Sequence, residues 1–249
     1  MSGVDDQKAW GIRNALVDGF ILNLLEDVEL IEPALRRKLP FVVMDIDGGP
    51  AFSSVRIDDR GGARQAAQHL VDLGHRHFAI VSVLRQMGLA PILHGPAEAH
   101  HRLVAGYPPD RERLSACAEV LAGAGIPIDD VPIVEINSNE DMAAGVSLLL
   151  DSAPETTAVI SIAGDPQALA VLDQARRRGI AVPGDLSIVG FDDNPEAALA
   201  DPPLTTIVQP VGEKGRVAAR ILFEGGPPRH VVLPVTLVVR GSTAPPRTR

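Results

Sequence analysis

The sequence predicts an α/β fold in which parallel β-sheets are flanked by helices. Short runs of β-branched residues alternate with amphipathic stretches, as they do in successive βαβ units. Apolar residues make up 45% of the chain but aromatic residues only 3%, so the core must be built from Val, Leu, Ile and Ala, which suits parallel strands buried on both faces. The 249 residues can form one large domain or two smaller ones.

The predicted strands are short apolar runs, several of which end at a polar residue: Phe20–Leu24, Phe41–Met44, Ser54–Ile57, His77–Val81, Ile133–Ile136, Thr157–Ile162, Leu186–Phe191 and Val231–Val239. The predicted helices lie between them: Val28–Lys38, Asp59–Leu73, Asp110–Gly123, Asn139–Leu150, Pro166–Arg178 and Glu213–Phe223.

Local stop and start signals set the helix boundaries. Pro40 ends the first helix, and Gly74 caps the second, whose apolar residues form one stripe. Pro166 stands in the first turn of its helix, and Gly179 follows the end of that helix. Residues 84–109 are rich in Pro and Gly and are predicted to be irregular. An irregular segment of that length in a compact domain is usually functional or mobile.

Composition excludes several classes of protein. The net charge is −9, whereas a DNA-binding surface needs clustered Lys and Arg. The single cysteine, Cys117, excludes a disulfide framework and fits a reducing compartment; within an apolar helix it is predicted to be a structural thiol rather than a nucleophile. The chain has no signal-peptide pattern and no apolar run long enough to cross a membrane. We therefore expect a cytoplasmic protein.

Acidic residues follow several predicted strands. Asp45, Asp165 and the pair Asp192–Asp193 each stand just past a strand end, and ligands bind outside the carboxyl ends of strands in open α/β sheets. An aspartate in that position is also a common helix N-cap. The three together favour a site that accepts hydrogen bonds from hydroxyl groups.

Two long segments resemble the LacI/GalR family of bacterial regulators: Val182–Asp193 (VPGDLSIVGFDD) and Asp201–Pro210 (DPPLTTIVQP). The similarity extends to four further segments, namely Leu73–Val81, Arg178–Pro183, Val17–Ile21 and Leu233–Leu237. Together these matches cover nearly the whole chain except residues 84–109.

The resemblance implies a periplasmic-binding-protein-like fold with two lobes joined by three crossovers. The N-terminal lobe is expected to comprise residues 1–57 and 210–228, and the C-terminal lobe residues 58–209 and 229–241, followed by a tail at 242–249. A ligand would bind in the cleft, and rearrangement of the lobes would carry the signal.

The resemblance also transfers five ligand-binding positions to this chain: Asp45, Arg113, Asp165, Asp192 and Gln209. The family's arginine clamps sugar hydroxyls or a carboxylate, and its acids bind hydroxyls. Carboxylates accept hydroxyl hydrogen bonds and a guanidinium donates in a fixed fork, so acids around one arginine suit a polyol. The alternatives are a solvated helix charge for Arg113 and a cap or loop acid for Asp192.

The sequence departs from the family pattern in several places, including Ala116, where the family prefers Gly. The helix-turn-helix and the opening βαβ unit have no counterpart here, so the N-terminal lobe is expected to be incomplete. Gly164 stands where a contacting Asn is common. The segment 84–109 carries His94, His100 and His101, which we interpret as a solvated loop or a flap over the cleft rather than a metal site, since the spacing lacks a further ligand.

These observations predict the effector-binding and dimerisation core of a LacI-type regulator. The effector is expected to be a sugar or related polyol, and DNA would be bound only through an N-terminal domain that this chain lacks. A homodimer is expected if a full-length form exists, with no cofactor, no metal and no membrane partner. No nucleotide-binding or nucleophile-elbow motif is present, so no enzyme is predicted. A stand-alone sugar-binding transport protein and a truncated, non-functional remnant are the alternatives.

Overall fold

The computed structural model describes residues 14, 16–23, 36–83, 90–94, 108–136 and 141–247. The chain divides into two compact units, and the polypeptide crosses from one unit to the other three times. The first unit comprises Met1–Asp58 and Pro210–Pro234, and the second comprises Asp59–Gln209 and Val235–Arg249.

The strands alternate with helices for most of the described chain. The strands are β1 Phe20–Asn23, β2 Phe41–Met44, β3 Ser53–Ile57, β4 Phe78–Val83, β5 Ile92–His94, β6 Ile133–Ile136, β7 Ala158–Ser161, β8 Ser187–Asp192, β9 Thr205–Val208, β10 His230–Leu233 and β11 Thr236–Val238. The described α-helices are α1 Asp59–Asp72, α2 Pro108–Gly123, α3 Met142–Ser152, α4 Asp165–Arg177, α5 Pro195–Leu199 and α6 Val211–Glu224.

The first unit contains a parallel four-stranded sheet in the order β1-β2-β3-β10. Helix α6 packs on β2 and β3. Its Ala218 and Ile221 form a small core with Val42 and Val55 of the strands. Burial of these apolar side chains orders the unit because each removes hydrocarbon surface from water.

The second unit is built on a seven-stranded sheet in the order β11-β9-β8-β7-β4-β6-β5. The five central strands are parallel, and the two edge strands are antiparallel to their neighbours. Helices α3 and α4 contribute to the core on one face of the sheet, and α1 packs against α2. Gly62 lets α1 approach closely, because a Cβ there would lie 2.9 Å from the ring of Phe191.

The predicted strand Val231–Val239 is wrong as one element, and the lobe boundary moves with it. It forms two strands separated at Pro234: β10 pairs with β3 in the first unit, whereas β11 pairs antiparallel with β9 in the second. The last crossover therefore falls after Pro234 rather than after residue 228. An apolar run predicts a buried strand, but contacts with residues far away in the chain decide which strand it pairs with.

Residues 242–247 are not a separate tail but belong to the second unit. The Ser242 hydroxyl is fully buried, donates to the carbonyl of Ile188 at 2.6 Å and accepts from the amide of Thr205 at 2.8 Å. Buried polar groups are costly unless they are hydrogen-bonded, so these bonds hold the segment against β8 and β9.

Further differences are local. Residues 92–94 form β5 inside the segment predicted to be irregular, and α2 begins at Pro108, two residues earlier than predicted. Most of the predicted helix Val28–Lys38 and most of residues 84–109 lie outside the described residues. Across the described ranges, no helix is long and apolar enough to cross a membrane.

Candidate functional site

Arg113 of α2 is the central cation at the carboxyl edge of the second sheet. Its Nε donates to Oδ1 of Asp59 at 2.7 Å, and its Nη1 donates to the carbonyl of Ile162, directly after β7, at 2.8 Å. The guanidinium lies 3.7 Å from the ring centroid of Phe191 in β8, a favourable cation–π geometry. With 8% of its surface exposed, Arg113 is held in one orientation rather than solvated as a helix surface charge.

Three carboxylates act electrostatically on this arginine. Burial, the largest single effect, lowers the pKa of Arg113, but Asp59, Asp192 and Asp110 together raise that pKa above its ordinary value. A charged guanidinium can be kept in a water-poor setting only when opposite charges compensate for its lost hydration. The cluster therefore maintains a permanent cation at the sheet edge.

Asp192 and Gln209 are joined at the same edge. Asp192 ends β8 and Gln209 follows β9; Nε2 of Gln209 donates to Oδ1 of Asp192. Asp192 and Asp193 have φ angles of 109° and 58°, in the left-handed region that few non-glycine residues adopt and that is often found at functional sites. The structure thus brings Asp192, Gln209 and the Arg113 cluster together within one unit.

Gly164 accommodates the Asp192 carboxylate. A Cβ at this position would lie 3.0 Å from Asp192 Oδ2, and the φ of Gly164 is +139°, a conformation that other residues rarely adopt. Asn is common at this position in the family, but the backbone conformation of residue 164 in this chain favours glycine.

Asp165 is placed differently from the other predicted site residues. Its side chain is fully buried, with Oδ1 accepting from the Thr206 hydroxyl at 2.6 Å and Oδ2 accepting from the Asn194 amide at 2.7 Å. Burial, partly opposed by these two hydrogen bonds, raises its pKa to about 6. Both oxygens are engaged inside the protein, which favours a structural role that ties the start of α4 to β9 and α5.

Asp45 lies in the first unit, at the end of β2, with a φ of 65°. Its two oxygens accept hydrogen bonds from Nζ of Lys214 on α6 at 2.7 and 2.9 Å. Both side chains are mostly buried. Asp45 is thus part of a buried ion pair that joins the sheet of the first unit to its helix.

Sequence reasoning missed three partners of the predicted residues: Asp59, Phe191 and Lys214. Asp59 follows the β3 strand closely, so the strand-end pattern that identified the other acids could have identified it as well. The sequence predicts Phe191 only as a strand residue. Nothing in the sequence around Lys214 indicates that it reaches Asp45, which is far away in the chain.

Cys117 and His94 carry side chains that could act as a nucleophile or as a metal ligand. Cys117 is fully buried, and burial raises the pKa of its thiol to about 12, so it stays protonated and is unsuited to nucleophilic attack. His94 lies on β5 with Nε2 3.5 Å from Glu135 Oε2. No group of three metal-ligating side chains occurs in the part of the chain that the structure describes; His100 and His101 lie outside that part.

The first unit also has a cavity of about 480 Å³, but at the opposite end of its strands. It is lined by residues at the amino ends of β2 and β3 and at the end of α6, including Phe41, Phe52 and Ile221. None of the predicted ligand-binding residues contributes to it. The carboxyl edge of the second sheet remains the better candidate, because it carries converging polar side chains.

Two α/β units connected by three crossovers, with polar groups gathered at a sheet edge, define a protein of the periplasmic-binding-protein-like class. The periplasmic binding protein-like domain family matches residues 67–243. CelR of Thermobifida fusca, an HTH-type transcriptional regulator, is 33% identical, and the match covers 97% of this chain and 68% of CelR. An HTH-type regulator of Mycolicibacterium smegmatis is 33% identical, and the match covers 92% of this chain and 64% of that relative.

Solved structures agree with the sequence relatives. The structure of a CelR–cellobiose complex is 32% identical, with a TM-score of 0.79, and the match covers 97% of this chain and 71% of that one. A LacI-family regulator from Enterococcus faecium with bound ribose is 28% identical, with a TM-score of 0.78, covering 97% of this chain and 85% of that one. The chain belongs to the periplasmic binding protein-like domain family, as represented in transcriptional regulators of the LacI family.

Proposed function

We propose that this chain is the effector-binding core of a LacI-type transcriptional regulator and that its effector is a sugar or a related polyol. The observation that carries the proposal is the fixed donor–acceptor set at the sheet edge. Arg113 is held by Asp59 and the Ile162 carbonyl, beside Asp192, which is held by Gln209. The cellobiose and ribose found in two related structures support the same ligand class.

The chemistry of the site suits hydroxyl groups. A hydroxyl can donate to the Asp192 carboxylate and accept from the Arg113 guanidinium, and both of these bonds are charge-assisted. Because both side chains are already oriented by neighbours, little conformational entropy is lost on binding. We assign Arg113, Asp192 and Gln209 to the ligand site of the second unit, and we keep Asp45 of the first unit as a proposed ligand-binding residue.

Regulation would follow from unequal affinity of the effector for two arrangements of the units. The same arrangements would differ in their affinity for DNA, which a helix-turn-helix domain of the complete regulator would bind. Linkage then makes effector and DNA affect each other's binding equally. The regulator would act in the cytoplasm as a homodimer. A dimer presents two DNA-binding domains, which match the two half-sites of an operator.

Thermal shift measurements on the purified chain test the proposal. Ribose, glucose and cellobiose would each be added at millimolar concentration, and a bound effector must raise the melting temperature. At a concentration about 100-fold above Kd the stabilisation is about 2.7 kcal/mol, equivalent to roughly 5–10 °C for a domain of this size.

Two neighbouring acids form a matched pair of variants. Asp192→Asn removes the charged acceptor and is expected to weaken sugar binding by about tenfold or more, the loss for a hydrogen bond to a charged group. Asp193→Asn is the control, since Asp193 pairs with Arg240 at 2.7 Å, and it should bind sugar as the unchanged protein does. Equal loss in both variants, or no shift with a broad panel of sugars and polyols, contradicts the proposal.

A further inference from the structure

The turn that follows β8 contains two residues in backbone conformations that side chains rarely adopt. Asp192 has a φ of 109° and Asp193 a φ of 58°. Such conformations cost energy and persist only where the surrounding structure over-determines them. Because Asp192 is assigned to the ligand site, the contacts that hold this turn also decide where its carboxylate lies.

Asp165 accepts a hydrogen bond from the end of this turn. Its Oδ2 accepts from the backbone amide of Asn194 at 2.7 Å, the first peptide N–H after the two residues with positive φ. The acceptor is itself fixed, because Asp165 is fully buried and its Oδ1 accepts from the Thr206 hydroxyl at 2.6 Å. Hydrogen bonds to a charged acceptor inside a protein are strong, so the turn is held by the start of α4.

Two glycines let Asp165 and Asp192 lie close to the same backbone. A Cβ at Gly190 of β8 would overlap Oδ1 of Asp165. A Cβ at Gly164, the residue before Asp165, would lie 3.0 Å from Oδ2 of Asp192. A displacement of Asp165 would therefore also move the backbone beside which the Asp192 carboxylate lies.

The bond to Asp165 differs from the bond that Gln209 makes to the same turn. Nε2 of Gln209 donates to the Asp192 carboxylate, but Gln209 is itself assigned to the ligand site, so this bond can change when a sugar binds. The bond between Asn194 and Asp165 lies inside the protein and does not need to change with the ligand.

We propose that Asp165 is a positioning residue, which holds the turn at residues 192–194 and thereby places the Asp192 carboxylate where a sugar hydroxyl reaches it. This role rests on the proposed function and extends it to a residue that does not touch the ligand. The family resemblance implies a direct contact for Asp165, whereas here both of its oxygens are engaged inside the protein. Its effect on the ligand is therefore transmitted through Asp192.

Calorimetric titration tests this role with whichever of ribose, glucose and cellobiose most stabilises the chain. Asp165→Ala removes both hydrogen bonds and is expected to weaken sugar binding by about tenfold, as Asp192→Asn does. Asp165→Asn should bind within about twofold of the unmodified chain, since its amide oxygen can accept from Asn194 and its amide nitrogen can donate to Thr206. A loss in Asp165→Asn as large as in Asp165→Ala would overturn the proposal.

A double-mutant cycle separates positioning from an independent contribution to binding. If Asp165 acts through Asp192, adding Asp165→Ala to Asp192→Asn should weaken binding by less than about threefold more, because coupled residues do not have additive effects. Additive losses, about 100-fold in the double variant, would show that Asp165 acts independently of Asp192 and would overturn the proposal.

A variant in the core controls for general loss of stability. Leu149→Ala truncates a buried side chain of α3 and destabilises the fold by leaving a cavity. The titrations are made at a temperature at which circular dichroism shows every variant to be folded. Leu149→Ala should then bind sugar as the unmodified chain does, whereas equal weakening in Leu149→Ala and Asp165→Ala would assign the effect to stability alone and overturn the proposal.

Amide hydrogen exchange provides a readout that needs no ligand. Asp165→Ala should speed exchange of the Asn194 amide by at least about tenfold, while the amides of β6 keep their protection. Thr206→Val removes only the donor to Oδ1, serves as the milder variant if Asp165→Ala does not fold, and should cause a smaller increase.

The exchange measurement distinguishes the two levels of interpretation. Unchanged exchange at Asn194 in these variants overturns the positioning role, whatever the sugar titrations give. Failure of all three sugars to bind, together with the expected change in exchange, contradicts the proposed function instead.

Discussion

The guanidinium of Arg113 in α2 lies 3.7 Å from the ring centroid of Phe191, the aromatic residue of β8. Phe191 is itself almost completely buried. The contact fixes the plane of the guanidinium, and Asp59 fixes its rotation through Nε. A ligand-binding group oriented in this way depends on residues that need not touch the ligand.

Asp59 should be essential for the stability of the second unit. Asp59→Ala removes the carboxylate that hydrogen-bonds directly to the buried Arg113, and breaking such a pair costs about 3–5 kcal/mol. Urea unfolding of the purified chain measures the change. The control is Asp173→Ala, which removes half of an exposed i,i+4 pair with Arg177 and should cost about 0.3–0.5 kcal/mol. Similar losses in the two variants would show that the Asp59–Arg113 pair is not the stabilising contact described here.

Gly164 should be intolerant of any side chain. Gly164→Ala forces an unfavourable φ of +139° and places Cβ 3.0 Å from Asp192 Oδ2, so we expect a loss of stability of about 1–3 kcal/mol and weaker sugar binding. Gly123→Ala is the control, since a Cβ there meets nothing within 4 Å. Melting temperatures and sugar titrations of both variants check the prediction, which an unchanged Gly164→Ala protein would contradict.

Asp165 should make the protein less stable as the pH rises. Its pKa is raised from 3.8 to about 6 in the folded protein, mainly by burial, so the folded state binds a proton more tightly than the unfolded state. The stabilisation from this proton is complete below about pH 4 and is lost as the pH passes 6. Asp165→Asn, which cannot ionise, should remove this component. The difference in unfolding free energy between the two proteins, measured from pH 4.5 to 7.5, should change as the pH rises towards 6 and level off above it; a constant difference would contradict the prediction.

His75 should make an opposite contribution, favouring the fold at higher pH. It is buried and hydrogen-bonds to Thr157, Ser187 and the carbonyl of Ala244, and burial is the main cause of its lowered pKa. Because the unfolded chain takes up the proton first, stability is complete above the ordinary value of 6.5 and falls as the pH drops below it.

Replacing this histidine tests its role in holding the C-terminal segment. His75→Gln should reduce the loss of stability between pH 7 and 5, and proteolysis near Ala244 should then depend less on pH. His77, which directly precedes β4 and is exposed, provides the control His77→Gln. If the unmodified chain and His75→Gln lose stability equally on acidification, the histidine is not the group responsible.

The order of the elements and much of the second sheet could be predicted from local sequence. Alternating apolar runs identified β2 and β6 with their observed bounds, and the stripe containing Ala63 and Leu70 identified α1. These signals succeed because burial of both sheet faces imposes apolar residues on every central strand. Strand-end acids likewise indicated the edge where Asp192 lies, whereas Gln209 was indicated only by the family resemblance.

Tertiary structure alone decided which of those signals share a site and which sheet each strand joins. One apolar run became β10 and β11 in different units because its pairing partners, β3 and β9, lie far away in the chain. Asp165 and Asp192 have the same local pattern, yet Asp165 is enclosed by Thr206 and Asn194 whereas Asp192 meets Gln209. Local sequence determined the elements through short-range burial and turn preferences, while contacts between distant residues determined the chemical environment of each side chain.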